Sequence, residues 1–133
     1  MKVPLPEGWT ARVEEDQSFQ SGPASRSVLR IDLRPGAGEE LPTAEGLKAA
    51  LVDSLRFAAV SVLEVRDRSQ SRLLIYQASL DGGAPLTAMV GAKRVGRDLF
   101  LCASLPGASG REVEKAAQAC EALEVGEGWG EGR

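Results

Sequence analysis

The run Val28-Leu29-Arg30-Ile31-Asp32-Leu33-Arg34 alternates apolar and charged residues, the period of two that turns one side of a strand inward. Leu29, Ile31 and Leu33 are the expected core-facing set. Pro35-Gly36-Ala37-Gly38 breaks this pattern, and Pro42-Thr43 opens a new one in which Leu47, Leu51 and Leu55 recur every four residues. That spacing predicts a helix with Thr43 as its N-cap, ending near Phe57 and packing a leucine stripe on a sheet. Four strands are expected next, at 61–67, 72–80, 85–95 and 98–104, with Ser69-Gln70, Asp81-Gly82-Gly83 and Gly96 supplying the hairpin turns of an antiparallel meander. Ser109 and Glu112 are spaced as a capping box, after which Val113, Ala116, Ala117, Cys120 and Leu123 fall on one helical face. Near the start, Leu5-Pro6-Glu7-Gly8-Trp9 reads as turn chemistry leading into a short extended piece at 10–13 and then an acidic loop, Glu14-Glu15-Asp16.

The order is therefore strand, strand, helix, four strands, helix. Helices that flank a mainly antiparallel sheet place the chain in the α+β class, as one domain over 1–123 followed by a flexible Gly/Glu-rich tail at 124–133. The meander itself is apolar on two faces. Leu73 and Ile75 oppose Leu74 and Tyr76, Leu99 and Leu101 oppose Phe100 and Cys102, and Leu86, Ala88 and Val90 oppose Thr87 and Met89. Both faces need cover, either from the N-terminal segment, from one helix on each side in an α/β/α sandwich, or from a partner. The sandwich is the expected arrangement. Its sharper alternative is a partly open groove or dimer face, and Leu74, Tyr76, Met89 and Phe100 are the expected partner-binding residues.

Composition removes most catalytic chemistry. The 133 residues include no histidine, so there is no Ser-His or Cys-His nucleophile pair and no His-ligated zinc. Cys102 and Cys120 have neither the spacing of a CxxC pair nor the number for a four-ligand metal site; they read as small buried hydrophobes, with a disulfide as the rival reading. A net charge of −3 argues against a nucleic-acid binder. Six basic residues, Arg66, Arg68, Arg72, Lys93, Arg94 and Arg97, gather at the expected tips of two hairpins. Solvated tips are the plain reading of them, and a structural or regulatory subunit holding an acidic protein partner is the functional one. Gly36-Ala37-Gly38-Glu39-Glu40-Leu41 lacks the third glycine of a dinucleotide loop, and Ser104 lacks a nucleophile elbow. No window is apolar enough to span a membrane, and Met1-Lys2-Val3-Pro4-Leu5-Pro6 is not a signal peptide, so the chain is expected to be cytoplasmic. Neither a cofactor nor a metal is expected.

The L-P-E-G-W opening at Leu5 to Trp9, the strand near Leu29 to Leu33, the leucine-spaced helix, the long meander and the closing helix together resemble the Mog1/PsbP-like fold. Within it the chain is most similar to the DcrB-like group, which includes the Eag-type chaperones of bacterial secretion effectors. The resemblance implies an α/β/α sandwich and a non-catalytic role in which a sheet-lined groove shelters a helix of another protein. It also implies a homodimer as one arrangement. The expected function is thus a chaperone-like, protein-binding accessory factor and not an enzyme.

Overall fold

The computed structural model describes residues 5–13, 18–23, 26–38, 40–55, 58–80 and 83–123. Among them the elements run β1 (Trp9–Val13), β2 (Phe19–Pro23), β3 (Leu29–Arg34), α1 (Ala44–Ser54), β4 (Ala58–Asp67), β5 (Ser71–Leu80), β6 (Leu86–Val95), β7 (Asp98–Ser104) and α2 (Gly110–Glu121). The strands form one seven-stranded sheet in the order β1-β2-β3-β7-β6-β5-β4, with every neighbouring pair antiparallel. Two meanders, β1–β3 and β4–β7, meet at the β3–β7 pair. The connection through α1 carries the chain from the middle of the sheet to its β4 edge.

Local chemistry sets the helix boundaries. The Thr43 side chain accepts a hydrogen bond from the Gly46 amide at 2.9 Å, which starts α1 one residue later. The helix is shorter than its leucine spacing suggests. Leu55 is its C-cap, the Ala58 amide donates to the Leu55 carbonyl, and β4 begins at Ala58 instead of 61. Phe57, the expected helix end, lies outside the described residues, as do the acidic loop at 14–16, Asp81-Gly82 and the tail at 124–133. Ser109 and Glu112 form the full capping box, each backbone amide answered by the other's side chain. Gly96, at φ 62°, makes the tight β6–β7 turn that a residue with a Cβ would strain. The sequence pattern did not show β2. Its Phe-Gln-Ser-Gly-Pro stretch has turn composition, yet it pairs on both sides, with β1 and with β3.

Register decides which residues share a face. Ile75 pairs with Met89, Leu73 with Gly91, Gly91 with Cys102, Phe100 with Leu33 and Cys102 with Ile31. Together with Leu29, Phe19 and Trp9 these belong to the core that Val113, Ala116, Ala117, Cys120 and Leu123 of α2 and its C-terminal end close. Leu74, Tyr76, Ala92 and Leu99 are equally buried but belong to the other face. There α1, which contacts β4 and β5, buries Leu47 and Leu51. Two cations show the same division. Lys93 donates to the Glu121 carbonyl at the end of α2, while Arg72, of opposite parity, donates to the Pro42 carbonyl just before α1. The architecture is an α+β, α/β/α sandwich around a mainly antiparallel sheet.

Cys102 and Cys120 are not two separate buried thiols. They form a disulfide between β7 and α2, with a Cα–Cα separation of 6.2 Å. The rival reading holds because the helical stripe that carries Cys120 seats on the strand face that carries Cys102. Sequence spacing alone did not contain that relation.

Candidate interaction surface

The two faces are covered unequally. Over the larger core, α2 lies on β6 and β7, and Leu5 of the N-terminal segment packs against the same cluster. Trp9, after the positive-φ Gly8 and a turn closed by the Trp9 amide on the Pro6 carbonyl, is its anchor. On the opposite face α1 is only 11 residues long, about 16 Å, and its contacts fall on β4 and β5. Beside it, on that same face, β6 presents Leu86, Ala88 and Val90, and β7 presents Leu101 and Ala103. Leu86 is 64% exposed and the other four are half-buried. The segment before α1 straps the hairpin-tip end of this face: the Gly38 amide donates to the Arg97 carbonyl, and Ala92 and Leu99 beneath are buried. What stays open among the described residues is an apolar trough, two strands wide, with α1 as one wall. Its other border is β3, whose Arg30, Asp32 and Arg34 lie opposite Ala103, Leu101 and Leu99.

The four residues expected to bind a partner do not share one surface. Leu74 and Tyr76 lie under α1, and Met89 and Phe100 lie under α2. All four are at most 9% exposed. Alternation correctly separated Leu74 from Leu73, but it could not say which set on β6 joins Leu74. The pairing of Leu74 with Val90 does so, and it assigns Val90, Ala88 and Leu86 to the α1 side. Leu101 follows by the same rule. Burial of its ring raises the Tyr76 hydroxyl above the usual phenol range.

The six basic residues are brought to one end of the sheet but are divided between its faces and largely answered. Arg66 contacts Glu64, Glu114 and Glu121, Arg68 contacts Glu121, and Lys93 reaches the Glu121 carbonyl. These three belong to the α2 side, where the helix supplies the acidic partner within the chain. The Arg66 guanidinium holds Glu64 below the usual carboxylate range, and the same carboxylates hold Arg66 in its charged form. Arg72 pairs with Asp67, and Arg94 bonds to Gln70. Only Arg97, exposed, has a side chain with neither a hydrogen bond nor an ion pair among the described residues. At the start of α2, Glu112 is held low first by the Ser109 amide and then by the Arg26 guanidinium.

A second opening, a cleft of about 420 Å³, lies between Leu5-Pro6-Glu7 and Lys115, Gln118, Ala119 and Ala122 of α2 and its C-cap. Among the described residues no group of three or more Cys, Asp or Glu converges as a metal site, and no helix is long and apolar enough to cross a membrane. The perturbed carboxylates are all explained by structural ion pairs and a cap. No protein-family model matches the chain, and no curated protein sequence matches it either.

Proposed function

We propose that this chain is a non-catalytic, chaperone-like protein-binding factor that receives an apolar segment of another protein in the trough beside α1. The observation that supports this most directly is the half-filled helical layer. On the α1 side one short helix lies against β4 and β5, leaving Val65 of β4 exposed, while Val90, Leu101 and the exposed Leu86 lie next to it without a second helix. Two strands span about 10 Å, the diameter of one helix, so a helix laid parallel to α1 would complete the layer. This is the role the Mog1/PsbP-like and DcrB-like resemblance implies, with an effector of a secretion system as the kind of partner. The rival reading, an acidic partner at the hairpin tips, is weaker, because Arg66, Arg68 and Lys93 already spend their charge on α2.

The test is capture of partners from the native cell by tagged wild-type protein, by Leu86→Asp with Val90→Ala, and by Arg97→Ala. Folding of each variant is checked by circular dichroism. A groove for an apolar helix predicts capture that survives high salt, is lost in the Leu86→Asp variant and is kept in Arg97→Ala. Capture by a well-folded Leu86→Asp variant equal to wild type would overturn the trough. Loss in high salt and in Arg97→Ala would favour the tips, and a doubled mass for the protein alone would identify a second copy as the occupant.

A further inference from the structure

The disulfide ties α2 to the core that this helix covers. Helix α2 closes the larger core, against Leu29, Ile31, Leu73, Ile75, Met89 and Phe100, but it does so with small side chains: Val113, Ala116, Ala117, Ala119 and, past its end, Leu123. Small residues bring helix and sheet close while burying few methylene groups of their own. Gly91 extends the same economy to the sheet. It pairs with Cys102 and Leu73 on the face below α2, and a Cβ there would lie 2.8 Å from the Arg72 carbonyl oxygen and 3.0 Å from the Leu73 Cα. Cys120 of this close-set helix is bonded to Cys102, and both residues are 1% exposed.

From this we infer that Cys102 and Cys120 are a site of obligatory oxidation, and that the chain matures in a compartment that supplies an oxidised dithiol donor. In the exchange each thiol gives up a proton and an electron and the two sulfurs bond. The donor's disulfide takes up both electrons and both protons and becomes a dithiol. Once α2 has seated, burial keeps an attacking thiolate from either sulfur, so the bond persists. Reducing cytosol keeps such a pair open; oxidising compartments keep it closed. The inference replaces the cytoplasmic location expected from the N-terminal residues, and it is independent of what occupies the trough.

The experiment produces the full chain in a bacterial host twice, retained in the reducing cytosol and exported to the oxidising periplasm. Free thiols are titrated with iodoacetamide in urea and read by mass. Urea unfolding is then followed before and after dithiothreitol, alongside the Cys102→Ala/Cys120→Ala variant. The exported protein is expected to take up no label. On reduction its unfolding equilibrium should shift toward the unfolded state by about 100-fold, the order for a loop of this length. The double variant should match the reduced protein and ignore dithiothreitol, which separates loss of the bond from any effect of the reagent. An exported protein that labels at both cysteines would overturn the inference. So would a fully labelled cytosolic protein that unfolds at the same urea concentration as the oxidised one.

Discussion

Leu73 and Leu74 are chain neighbours, both at most 1% exposed, and they are buried in different places: Leu73 under α2 and Leu74 under α1. A strand with one solvated face would tolerate truncation at one of the two. Here Leu73→Ala and Leu74→Ala are each expected to cost about 2–5 kcal/mol, the range for deleting a buried leucine side chain. Urea unfolding of both single variants checks this, and a near-neutral Leu74→Ala would mean that α1 does not seat on its face.

That pair also shows how far the sequence could be read. Strand positions, the Thr43 and Ser109 caps and the presence of two apolar faces follow from alternation and capping chemistry, which act within a few residues. Which β6 residues join Leu74 depends on pairing across strands, and no local pattern encodes that. Alternation alone accordingly groups Met89 and Phe100 with Leu74 and Tyr76, although the sheet lies between the pairs. Of the residues of the open trough, alternation places Leu86 with Val90 and, separately, Leu101 with Leu99, and only the register across strands puts them on one side. Strand β2 was missed for another reason, since its Ser, Gly and Pro speak for a turn while pairing on both edges makes it a strand. Spacing leaves the Cys102–Cys120 bond as one of two readings, because helix-to-sheet docking brings the two together.

Gly91 and Gly110 should respond oppositely to the same added methyl group. A Cβ at Gly91 meets backbone at 2.8 Å and 3.0 Å, whereas at Gly110, the first residue of α2, nothing lies within 4 Å. Gly91→Ala is expected to cost about 1–3 kcal/mol through overpacking. Gly110→Ala is expected to leave stability unchanged or raise it by about 0.5 kcal/mol, since alanine loses less backbone entropy. Paired urea midpoints give the comparison directly.

Arg66 joins the edge strand β4 to α2 through Glu114 and Glu121, and its side chain is only 12% exposed. Removing it leaves Glu114 without that cation and Glu121 with Arg68 alone. Arg66→Ala is expected to cost about 1.5–3 kcal/mol, the range for hydrogen bonds to charged groups. Arg68→Ala, at 64% exposure and with one contact to Glu121, should cost under about 1 kcal/mol. Added salt should narrow the difference from wild type for Arg68→Ala more than for Arg66→Ala, because exposed pairs are screened first.

Acid should loosen the start of α2. Glu112 is held below its ordinary value of 4.5, first by the Ser109 amide and then by Arg26, so its ionised form is favoured by folding. Its contribution is complete above that ordinary value and is lost as pH falls through the lowered folded value. Glu64, held low by Arg66, acts in the same direction. Stability measured by urea unfolding should therefore decline below about pH 4.5, and Glu112→Gln should flatten part of that decline while lowering stability near neutrality. An unchanged acid profile in Glu112→Gln would show that the capping carboxylate does not titrate with folding.

Ser21 presents the opposite case, a polar group for which the fold does nothing. Its residue is fully buried in β2, and its hydroxyl oxygen has no hydrogen-bond partner among the described residues. A buried hydroxyl that left water without finding a partner carries its desolvation cost uncompensated, while its backbone carbonyl is satisfied by the Val28 amide. Ser21→Ala removes the oxygen, keeps the Cβ and leaves that backbone pairing intact. Stability is expected to stay level or rise by about 1 kcal/mol, unlike the loss usual for a fully buried position. A rise locates Ser21 as a tolerated defect of the β2–β3 pairing. A loss of 1 kcal/mol or more would instead show that the hydroxyl has a partner in solution, a buried water being the simplest.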